Sequence, residues 1–329
     1  MTEKAVVTGS NSFSGAHFID FALKEGLDVI GISRSREPAA VFLPYKTKKK
    51  PKFRFYQMDI NFDLDEIMEV ISAFQPDYVV NFAAQSMVAQ SWKYPEHWFQ
   101  TNTVATIKLH DRLRRCEFLK KYIHVSTPEV YGNCSSLIRE NANYNPSTPY
   151  AASRAAADMS LKTFFDNYDF PVVFTRAANV YGQGQQLYRI IPRTIFYFLT
   201  GRKLRLHGGG KSVRSFIHIR DVADATLKAA RIAPAGEIFH LSTSNNISVR
   251  ALVEMIAREM NVSFEDNVEI AEDRPGKDAA YLLDNSKARK ELGWESKITL
   301  DEGIEETIQW VRDNLDVLKR QPFEYIHKT

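Results

Sequence analysis

The chain has few cysteines, no long apolar run and almost no excess charge of either sign. Two cysteines, Cys116 and Cys134, occur in 329 residues; they cannot build a disulfide framework, and neither lies in a metal-ligand spacing. We therefore expect no metal site and a reducing, cytoplasmic compartment. No apolar run is long enough to cross a bilayer, so no membrane partner is predicted. The residues after Met1 enter an apolar strand pattern directly, which argues against a secretory leader.

The charge balance offers no support for a nucleic-acid partner. Lysine and arginine number 43 against 40 for aspartate and glutamate, a net charge of +3, which leaves no general electrostatic footprint for a polyanion. The one basic run, residues 46–52, contains five lysines and is interpreted as a solvated loop. With 44% hydrophobic and 25% charged residues, the composition is that of a folded globular protein. The length predicts one large domain or two unequal ones.

Apolar runs and helical patterns alternate along the first half of the chain. Strands are predicted at residues 5–7, 29–32, 53–56, 78–82, 122–125 and 171–174. Helices are predicted at 13–25, which Gly26 is placed to end, and at 64–74, where apolar residues repeat with helical spacing. Strands that alternate with helices need crossover connections, so we expect a parallel sheet covered on both faces. The predicted fold class is α/β, a Rossmann-type doubly wound parallel sheet.

The pattern changes after about residue 180, where segments become shorter and glycine and proline become denser. Helices are predicted there at 248–260, 286–292 and 300–315. We interpret this part as a smaller α+β substrate lobe. The predicted division is a dinucleotide-binding domain at 1–180, to which residues of about 212–245 return, and a mainly substrate-binding lobe at 181–329.

A loop suited to a phosphate joins the first strand to the first helix. Its predicted cofactor-binding residues are Gly9, Asn11, Ser12, Phe13, Ser14 and Gly15. Gly9 permits a tight turn and Gly15 permits close packing of helix on strand, so backbone N–H groups and the helix N-terminus can meet a pyrophosphate. Ser12 stands where the usual pattern has its middle glycine. An ordinary strand-to-helix turn is the alternative, but the position in the first βα unit favours dinucleotide binding.

The end of the second strand bears on the form of the cofactor. The residues there are Ser33, Arg34, Ser35 and Arg36, and no acid follows until Glu37. An acidic residue would bind the ribose 2′-hydroxyl of NAD, whereas hydroxyl and guanidinium groups suit a 2′-phosphate. We therefore predict NADP, with NAD as the alternative; solvated loop charges would be the other interpretation. After the third strand, Asp59 and Ile60 could border the adenine, although an exposed loop aspartate is almost as consistent with the pattern.

Three further segments carry a family resemblance. They are Phe82-Ala83-Ala84-Gln85-Ser86, Ser126-Thr127-Pro128-Glu129-Val130-Tyr131-Gly132 and Pro149-Tyr150-Ala151-Ala152-Ser153-Arg154. Together with the glycine loop, they resemble the extended short-chain dehydrogenase/reductases, and within that family the nucleotide-sugar 4,6-dehydratases. Later segments match as well, so the resemblance covers nearly the whole chain: Asn179–Gly182, Arg214–His218 and Arg274–Asp278.

Tyr150 and Arg154 form the predicted oxidation pair. Four residues apart on a helix, they share one face. The pKa of a free tyrosine is about 10, too high for a base at neutral pH, and a cation one turn away would lower it. Tyr150 would then take the proton of a sugar hydroxyl as hydride leaves the same carbon for nicotinamide. The family resemblance implies lysine at position 154, so Arg154 is a departure that keeps the charge but not the compact ammonium.

Glu129 points to a dehydratase. Once C4 of the sugar is a ketone, the C5 proton is acidic, and a carboxylate can remove it while the C6 hydroxyl leaves. Many relatives place an aspartate just before this glutamate as the acid, but here Pro128 stands there, so Glu129 would be both base and acid, as in the GDP-mannose dehydratase subgroup. Thr127 would hydrogen-bond the substrate O4. Alternatives are a C4 epimerase, a uronate decarboxylase, or a non-catalytic protein that binds cofactor or nucleotide sugar.

The resemblance implies further site residues. Toward the cofactor they are Phe82, Ala83, Ala84, Gln85, Asn102, Val125 and Ala177, together with Tyr150 and Arg154. Toward the nucleoside-diphosphate sugar they are Gln85, Ser86, Met87, Thr127, Glu129, Asn179, Arg189, Pro192, Leu204, Leu206, Arg214 and Arg274. Arginine suits bidentate diphosphate contact, although each arginine alone could be solvated and each leucine could simply pack. Met87 replaces a usual histidine, which hints at an N-acetyl group on the substrate. Relatives dimerise through a four-helix bundle, here residues of about 96–115 and 150–168.

Overall fold

Strands and helices alternate along the first half of the chain, as the apolar pattern predicts. In the computed structural model, residues 2–46, 52–133, 136–272 and 282–328 are described. The strands in chain order are β1 (Lys4–Thr8), β2 (Asp28–Ser33), β3 (Phe53–Gln57), β4 (Tyr78–Asn81), β5 (Lys121–Val125), β6 (Leu137–Ile138), β7 (Val172–Ala177), β8 (Asn179–Tyr181), β9 (Leu204–His207), β10 (Val213–His218), β11 (Ile238–Leu241), β12 (Asn246–Ser248), β13 (Val268–Ala271) and β14 (Leu282–Leu283).

The helices that were predicted begin and end close to the predicted positions, and others appear between them. They are α1 (Phe13–Lys24), α2 (Leu64–Phe74), α3 (Val88–Ser91), α4 (Pro95–Phe99), α5 (Thr106–Leu113), α6 (Pro149–Tyr168), α7 (Ile190–Leu199), α8 (Ile219–Ile232), α9 (Val249–Glu259), α10 (Phe264–Asn267), α11 (Ser286–Leu292), α12 (Leu300–Asp313) and α13 (Leu315–Leu318). A π-helical turn over Gln100–Ala105 joins α4 to α5. Gly26 follows the end of α1 with φ +89°, as predicted for a helix terminator.

Seven parallel strands form the main sheet, in the order β3-β2-β1-β4-β5-β7-β11. Val6 of β1 pairs with Ile30 of β2 on one side and with Val79 of β4 on the other. The strand order reverses between β1 and β4, and in open α/β sheets the ligand crevice lies outside the carboxyl ends of the strands at such a point. The predicted doubly wound sheet is confirmed. The apolar pattern did not identify β11 as the seventh strand.

Helices cover both faces of the sheet, because successive residues of a strand point to opposite faces. Val7 of β1 packs in an apolar cluster with Phe18 of α1 and Val222 of α8. Val6, its neighbour, belongs to a second cluster on the other side with Ile67 of α2. This two-sided burial explains why the strands appear in the sequence as short continuous apolar runs rather than alternating ones.

The second half of the chain builds smaller sheets and its own core. Strands β8, β10 and β12 form one sheet, β9 pairs with β13, and β6 pairs with β14. Helices α7, α9 and α12 pack around Ile195, Leu252 and Ile304. Helices α9, α11 and α12 lie where they were predicted. The chain returns to the main sheet through β11, while α8 packs on α1; the domain boundary at residue 180 stays a prediction.

Some sequence features lie partly outside the described residues. Within the basic run, Lys46 is described, and its Nζ lies 2.6 Å from Glu37 Oε2 rather than free in solvent. Cys134 is not described, and Cys116 is a free thiol. Within the described ranges, no group of three or more His, Cys, Asp or Glu could hold a metal ion. None of the described helices combines the length and apolar character that a bilayer crossing requires.

Candidate active site

The glycine loop lies at the switch point between β1 and β4. Gly9 has φ +72°, and a Cβ there would lie 2.5 Å from the backbone N of Ala83. A Cβ on Gly15 would lie 2.4 Å from the carbonyl oxygen of Gly9. Neither position leaves room for a side chain, because the loop is pressed between the β4 end and α1. The two glycines therefore have the geometric roles that the sequence predicted for them.

Two buried polar atoms of this loop lack hydrogen-bond partners. Ser12 caps α1, since its Oγ accepts from the backbone N–H of Gly15 at 3.0 Å; the serine thus replaces the middle glycine as a helix cap. Asn11 Nδ2 donates to the carbonyl of Ser35 at 2.7 Å. The buried Ser10 Oγ and Asn11 Oδ1 have no hydrogen-bond partner. A cradle without room for side chains at a helix N-terminus, with a serine hydroxyl that can donate, fits the pyrophosphate of a dinucleotide.

The two arginines after β2 differ in environment. Arg34 is half-buried and donates to the carbonyl of Lys328 at 3.2 Å, and Ser35 Oγ accepts from Lys328 Nζ at 2.8 Å. Arg36 is exposed, as the solvated-loop alternative expected. The first acid after the strand, Glu37, is directed elsewhere, because it accepts from Tyr45 and pairs with Lys46. The segment Ser33–Arg36 contains no carboxylate, and the carboxylate of Glu37 is already bonded to Tyr45 and Lys46.

Asp59 and Ile60 close this end of the cleft. Asp59 Oδ1 accepts from both the backbone N and the side-chain Nδ2 of Asn61, at 2.9 and 2.8 Å, so it organises a turn after β3. Ile60 is buried in the core. Contact of Asp59 with adenine stays a prediction.

Asn102 holds the segment that follows β4. Its Oδ1 accepts from the backbone N of Gln85 at 2.8 Å, and its Nδ2 donates to the Gln85 carbonyl and to Ser153 Oγ. Asn102 is fully buried in the π-helical turn, and its amide is used within the protein. Asn102 thus holds the Gln85 segment in place, and its contact with the cofactor stays a prediction. The same segment presents Phe82, Ala83, Ala84, Gln85, Ser86 and Met87 at the end of β4.

The predicted catalytic residues come together between β5 and α6. Thr127 caps the short 3₁₀ turn after β5 by accepting from the backbone N of Glu129 at 3.3 Å. The Tyr150 side chain is hydrogen-bonded to Thr127 and lies within electrostatic reach of Glu129, Arg154 and Arg189. Tyr150 is 8% exposed, and Glu129 is half-buried. A hydroxyl pair beside a carboxylate can exchange protons with two adjacent carbons of one substrate.

The electrostatics of Tyr150 differ from the prediction. Burial raises the pKa of Tyr150, and the Glu129 carboxylate raises it further. The charges of Arg154 and Arg189 act in the opposite direction without compensating. The expected lowering by Arg154 is therefore present but is not the larger effect, because an anionic phenolate loses more hydration than a nearby guanidinium returns.

Arg154 is directed into the protein. Its Nη2 donates to the carbonyl of Val125 and lies 3.3 Å from His124 Nε2. The residue is 2% exposed, and its Nε has no hydrogen-bond partner. Burial and the charge of Arg154 lower the pKa of His124. The guanidinium is thus bonded to two residues of β5. A lysine, which is shorter and carries a single nitrogen, could not make both contacts.

Sequence reasoning missed the rest of this buried cluster. Asp158 lies one turn beyond Arg154 on α6 and pairs with Arg176 of β7 at 2.8 Å, both side chains being fully buried. Ser126 Oγ donates to Asp158 at 2.6 Å. Burial alone would raise the pKa of Asp158, but Arg176 and His124 lower it to about 2. The four-residue spacing of positions 150, 154 and 158 was the available signal, since it puts them on one helix face.

The predicted substrate residues divide into polar and buried sets. Arg189 stands at the start of α7, and its guanidinium lies 5.5 Å from the ring of Tyr188. Asn179 donates to the Ser215 carbonyl at 3.3 Å, and Arg214 to the Val213 carbonyl at 2.8 Å. Three apolar residues of the predicted substrate set are buried, and their contact with the substrate stays a prediction: Pro192, Leu204 and Leu206. Ala177 ends β7 beside the cleft, and Arg274 lies outside the described residues.

A parallel sheet with a phosphate loop at its switch point, and a tyrosine one turn before a cation on the helix after β5, define a nicotinamide-dinucleotide enzyme of the extended short-chain dehydrogenase/reductase type. The chain belongs to the GDP-mannose 4,6-dehydratase family, whose family model matches residues 6–307.

Curated relatives and solved structures agree with this assignment. The dTDP-glucose 4,6-dehydratase of Haemophilus influenzae is 30% identical over 93% of this chain and 96% of its own length. The human dTDP-D-glucose 4,6-dehydratase is 31% identical over 95% and 91%. The dTDP-glucose 4,6-dehydratase of Streptomyces venezuelae, solved with NAD bound, superposes with a TM-score of 0.87 at 28% identity, covering 95% of this chain and 98% of that one. A UDP-glucose 4-epimerase of Thermotoga maritima, 27% identical, superposes at 0.86 over 95% and 99%.

Proposed function

We propose that this chain, a nucleotide-sugar 4,6-dehydratase by family, converts a nucleoside-diphosphate hexose to its 4-keto-6-deoxy derivative with the side chains of Thr127, Glu129 and Tyr150. The observation that carries the proposal is the placement of a half-buried carboxylate beside the Tyr150–Thr127 pair. C4 epimerisation needs only oxidation and re-reduction at C4. A carboxylate at this position adds a group that can act at C5, which favours elimination of water.

The proposed reaction begins with oxidation at C4. A bound nicotinamide supplies the acceptor for the C4 hydride and later donates it to C6. Tyr150 takes the proton of the C4 hydroxyl, while the Thr127 hydroxyl, hydrogen-bonded to Tyr150, orients O4 and stabilises the growing carbonyl. Arg154 holds the end of β5 in place through the Val125 carbonyl, so the Thr127–Glu129 turn keeps its position relative to α6.

Glu129 performs the second stage in this proposal. Its carboxylate removes the C5 proton, which the C4 ketone has made acidic. The same carboxyl group then returns a proton to the departing C6 hydroxyl, because Pro128, the preceding residue, has no acidic group. The C5–H and C6–O bonds break, and water leaves behind a C5=C6 double bond conjugated with the C4 ketone. Hydride then adds to C6, and a proton from solvent, delivered by the Glu129 carboxyl group, adds to C5. Cofactor is regenerated, so the reaction has no net redox change.

We propose NADP as the cofactor, with NAD as the alternative. Support comes from the Ser33–Arg36 segment, where Arg34 and Ser35 are half-buried and Glu37 is bonded to Tyr45 and Lys46. A solved relative, the dTDP-glucose 4,6-dehydratase of Streptomyces venezuelae, has NAD bound, which is the observation that favours the NAD alternative. The substrate diphosphate is assigned to Arg189 and Arg214 with Asn179.

The decisive test is product analysis. Purified protein is incubated with GDP-mannose, UDP-glucose, dTDP-glucose and UDP-N-acetylglucosamine, the last because Met87 suggests an apolar neighbour. Mass spectrometry should show loss of one water from one of them without added cofactor turnover, and the reaction in D₂O should place deuterium at C5. If only C4 epimers form, the dehydratase proposal is wrong and the epimerase is favoured.

Glu129→Gln separates the two stages. The variant should still oxidise C4, seen as nicotinamide absorbance in a single turnover, but should lose exchange of the C5 proton with solvent. Glu305→Gln, an exposed residue of α12, is the matched control. Exchange at the wild-type rate in Glu129→Gln would remove Glu129 from the proposed role.

We further propose a cytoplasmic homodimer that pairs helices from about 96–115 and 150–168. Three apolar side chains on these helices support it, because they are exposed in the single chain: Phe99 (38%), Val104 (39%) and Met159 (49%). Val104→Asp should shift the sedimentation coefficient to that of a monomer, whereas a wild-type protein that already sediments as a monomer would contradict the dimer.

A further inference from the structure

The segment Pro322–Lys328, which follows α13, crosses from the substrate lobe to the end of the main sheet. It starts on the lobe, where Phe323 packs against Phe196 of α7 with ring centroids 4.6 Å apart. Arg193 of α7 donates to the Phe323 carbonyl and to Glu324 Oε1. Exposed and half-buried residues alternate along the segment, which is the pattern of extended chain lying on a surface. We call this segment the strap.

The strap next contacts the predicted sugar and cofactor residues. Tyr325 donates to Gln85 Oε1 at 3.1 Å, and Gln85 Nε2 donates to the Lys328 carbonyl at 2.8 Å. The Tyr325 ring meets Tyr188, next to Arg189, edge to face at 5.7 Å. Both ends of the Gln85 amide are therefore bonded to the strap. Since Gln85 follows β4 at the switch point, the strap lies over the mouth of the cleft.

His327 anchors the strap on α4. Its ring stacks on Tyr94 at 5.3 Å and on Trp98 at 5.1 Å, and its Nε2 lies 2.8 Å from His97 Nδ1. Burial and the neighbouring His97 lower the pKa of His327, which agrees with a hydrogen bond between two rings of which at least one is neutral. This aromatic group fixes the position of the residue that follows.

Lys328 brings a second cation to the end of β2. Its Nζ donates to Ser35 Oγ at 2.8 Å, while its carbonyl accepts from Arg34 at 3.2 Å. Among the described residues, no carboxylate forms an ion pair with Lys328. Lys328 Nζ at the Ser35 hydroxyl and the Arg34 guanidinium at the Lys328 carbonyl place two cations beside the end of β2. The adenosine ribose of a dinucleotide lies at this strand end, and two cations there suit a dianion.

We propose that the strap is part of the dinucleotide site, and that Lys328 shares the adenosine 2′-phosphate with Arg34 and Ser35. The inference rests on the proposed NADP cofactor, whose site it deepens. Neither Lys328 nor the strap carries a motif, and the residue lies 293 positions from Ser35 in the chain. The strap brings it there because Phe323, Tyr325 and His327 each pack on a different part of the cleft rim.

Cofactor binding tests the proposal without reference to catalysis. NADPH and NADH fluorescence titrations are run on the full chain, on Lys328→Gln and on Lys328→Arg. We expect Lys328→Gln to weaken NADPH binding about fivefold, as one partly exposed charge contact allows, with NADH binding unchanged and Lys328→Arg close to wild type. Lys319→Gln is the matched control, since Lys319 is exposed on the approach to the strap and pairs with Asp316 at 3.2 Å.

His327→Ala adds a second readout by releasing the anchor. We expect faster dissociation of both NADPH and NADH in stopped-flow displacement, because the strap would no longer be held over the cleft. Tighter binding of both forms in either variant would show that the strap is a plug that competes with cofactor, which overturns the proposal.

The wild-type titration keeps the two proposals separate. If wild type prefers NADPH and Lys328→Gln keeps that preference undiminished, the Lys328 assignment is wrong and the NADP proposal stands. If wild type binds both forms equally, both are wrong.

Discussion

Arginine lies in opposite environments at two places on the cleft. At the β2 rim (Ser33–Arg36), Arg34 is half-buried and donates a hydrogen bond to the carbonyl of Lys328 in the strap, while Arg36 is exposed. In the α6 interior cluster (His124, Arg154, Asp158 and Arg176), Arg154 is enclosed and bonded to β5. The rim guanidinium is thus partly exposed, whereas the interior guanidinium is enclosed and bonded within the protein. The same residue type therefore lies at the surface of the predicted cofactor site in one place and inside the protein in the other.

The largest effect is expected beside the interior cluster, at Tyr150. Tyr150→Phe removes the hydroxyl that exchanges the O4 proton and should lower kcat by roughly 100- to 10,000-fold, measured by product formation. Tyr168→Phe, an exposed tyrosine on the same helix (55% exposed), is the control. A loss smaller than tenfold would show that another group takes the proton.

Arg154→Lys tests whether Arg154 stabilises the fold through its guanidinium contacts. An ammonium cannot replace the guanidinium contacts with both Val125 and His124, so we expect a loss of about 1–3 kcal/mol in the free energy of unfolding by urea, from an unsatisfied buried carbonyl, together with lower activity. Arg205→Lys, on the exposed side of β9, should leave stability unchanged. A large gain in activity would instead show that lysine is the better catalytic residue at position 154 and that Arg154 impairs catalysis.

The pH profile separates burial from charge at Tyr150. Because burial and Glu129 raise the pKa of Tyr150, its phenolate is a minor form at neutral pH, and a rate that needs this base should rise by about tenfold per pH unit below that pKa. Arg154 and Arg189, which lower the pKa, remain in place in Glu129→Gln. Single-turnover C4 oxidation in that variant should therefore reach its plateau at lower pH than wild type; an unmoved profile would contradict the coupling.

The smallest effect is expected at the β2 rim. Arg34→Ala should weaken NADPH binding by about tenfold and leave NADH binding unchanged, because one accessible charge-assisted phosphate contact is lost. Arg36→Ala should change neither by more than about twofold, since that side chain is in solvent. Both affinities are measured by fluorescence titration. Equal losses of NADPH affinity in the two variants would show that the rim acts through its overall electrostatic potential rather than through a specific contact of Arg34.

Much of the fold and part of the site could be predicted from local pattern. The strands appeared as apolar runs because both faces of the parallel sheet are buried. Gly9 and Gly15 could be identified because a backbone approach closer than 3 Å tolerates no Cβ. Tyr150, Arg154 and Glu129 could be grouped because helix periodicity and strand ends place them on one side of the sheet. The hydrogen bonds of the Asn102 amide with the Gln85 backbone could not be predicted from local pattern, because the two residues are 17 positions apart and meet only through packing.

Residue type and spacing were enough to predict most strands of the main sheet and several of its helices, since these follow from periods of two and 3.6 residues, while most of the predicted site residues came from the family resemblance. Burial and long-range contact decided the rest. The raised pKa of Tyr150 depends on how much water the surrounding elements remove. The difference in exposure between Arg34 and Arg36 depends on which side of the chain faces the solvent. The position of Lys328 beside Ser35 depends on the packing of a segment almost 300 residues away in the chain. The sequence near Ser35 contains nothing that predicts this contact.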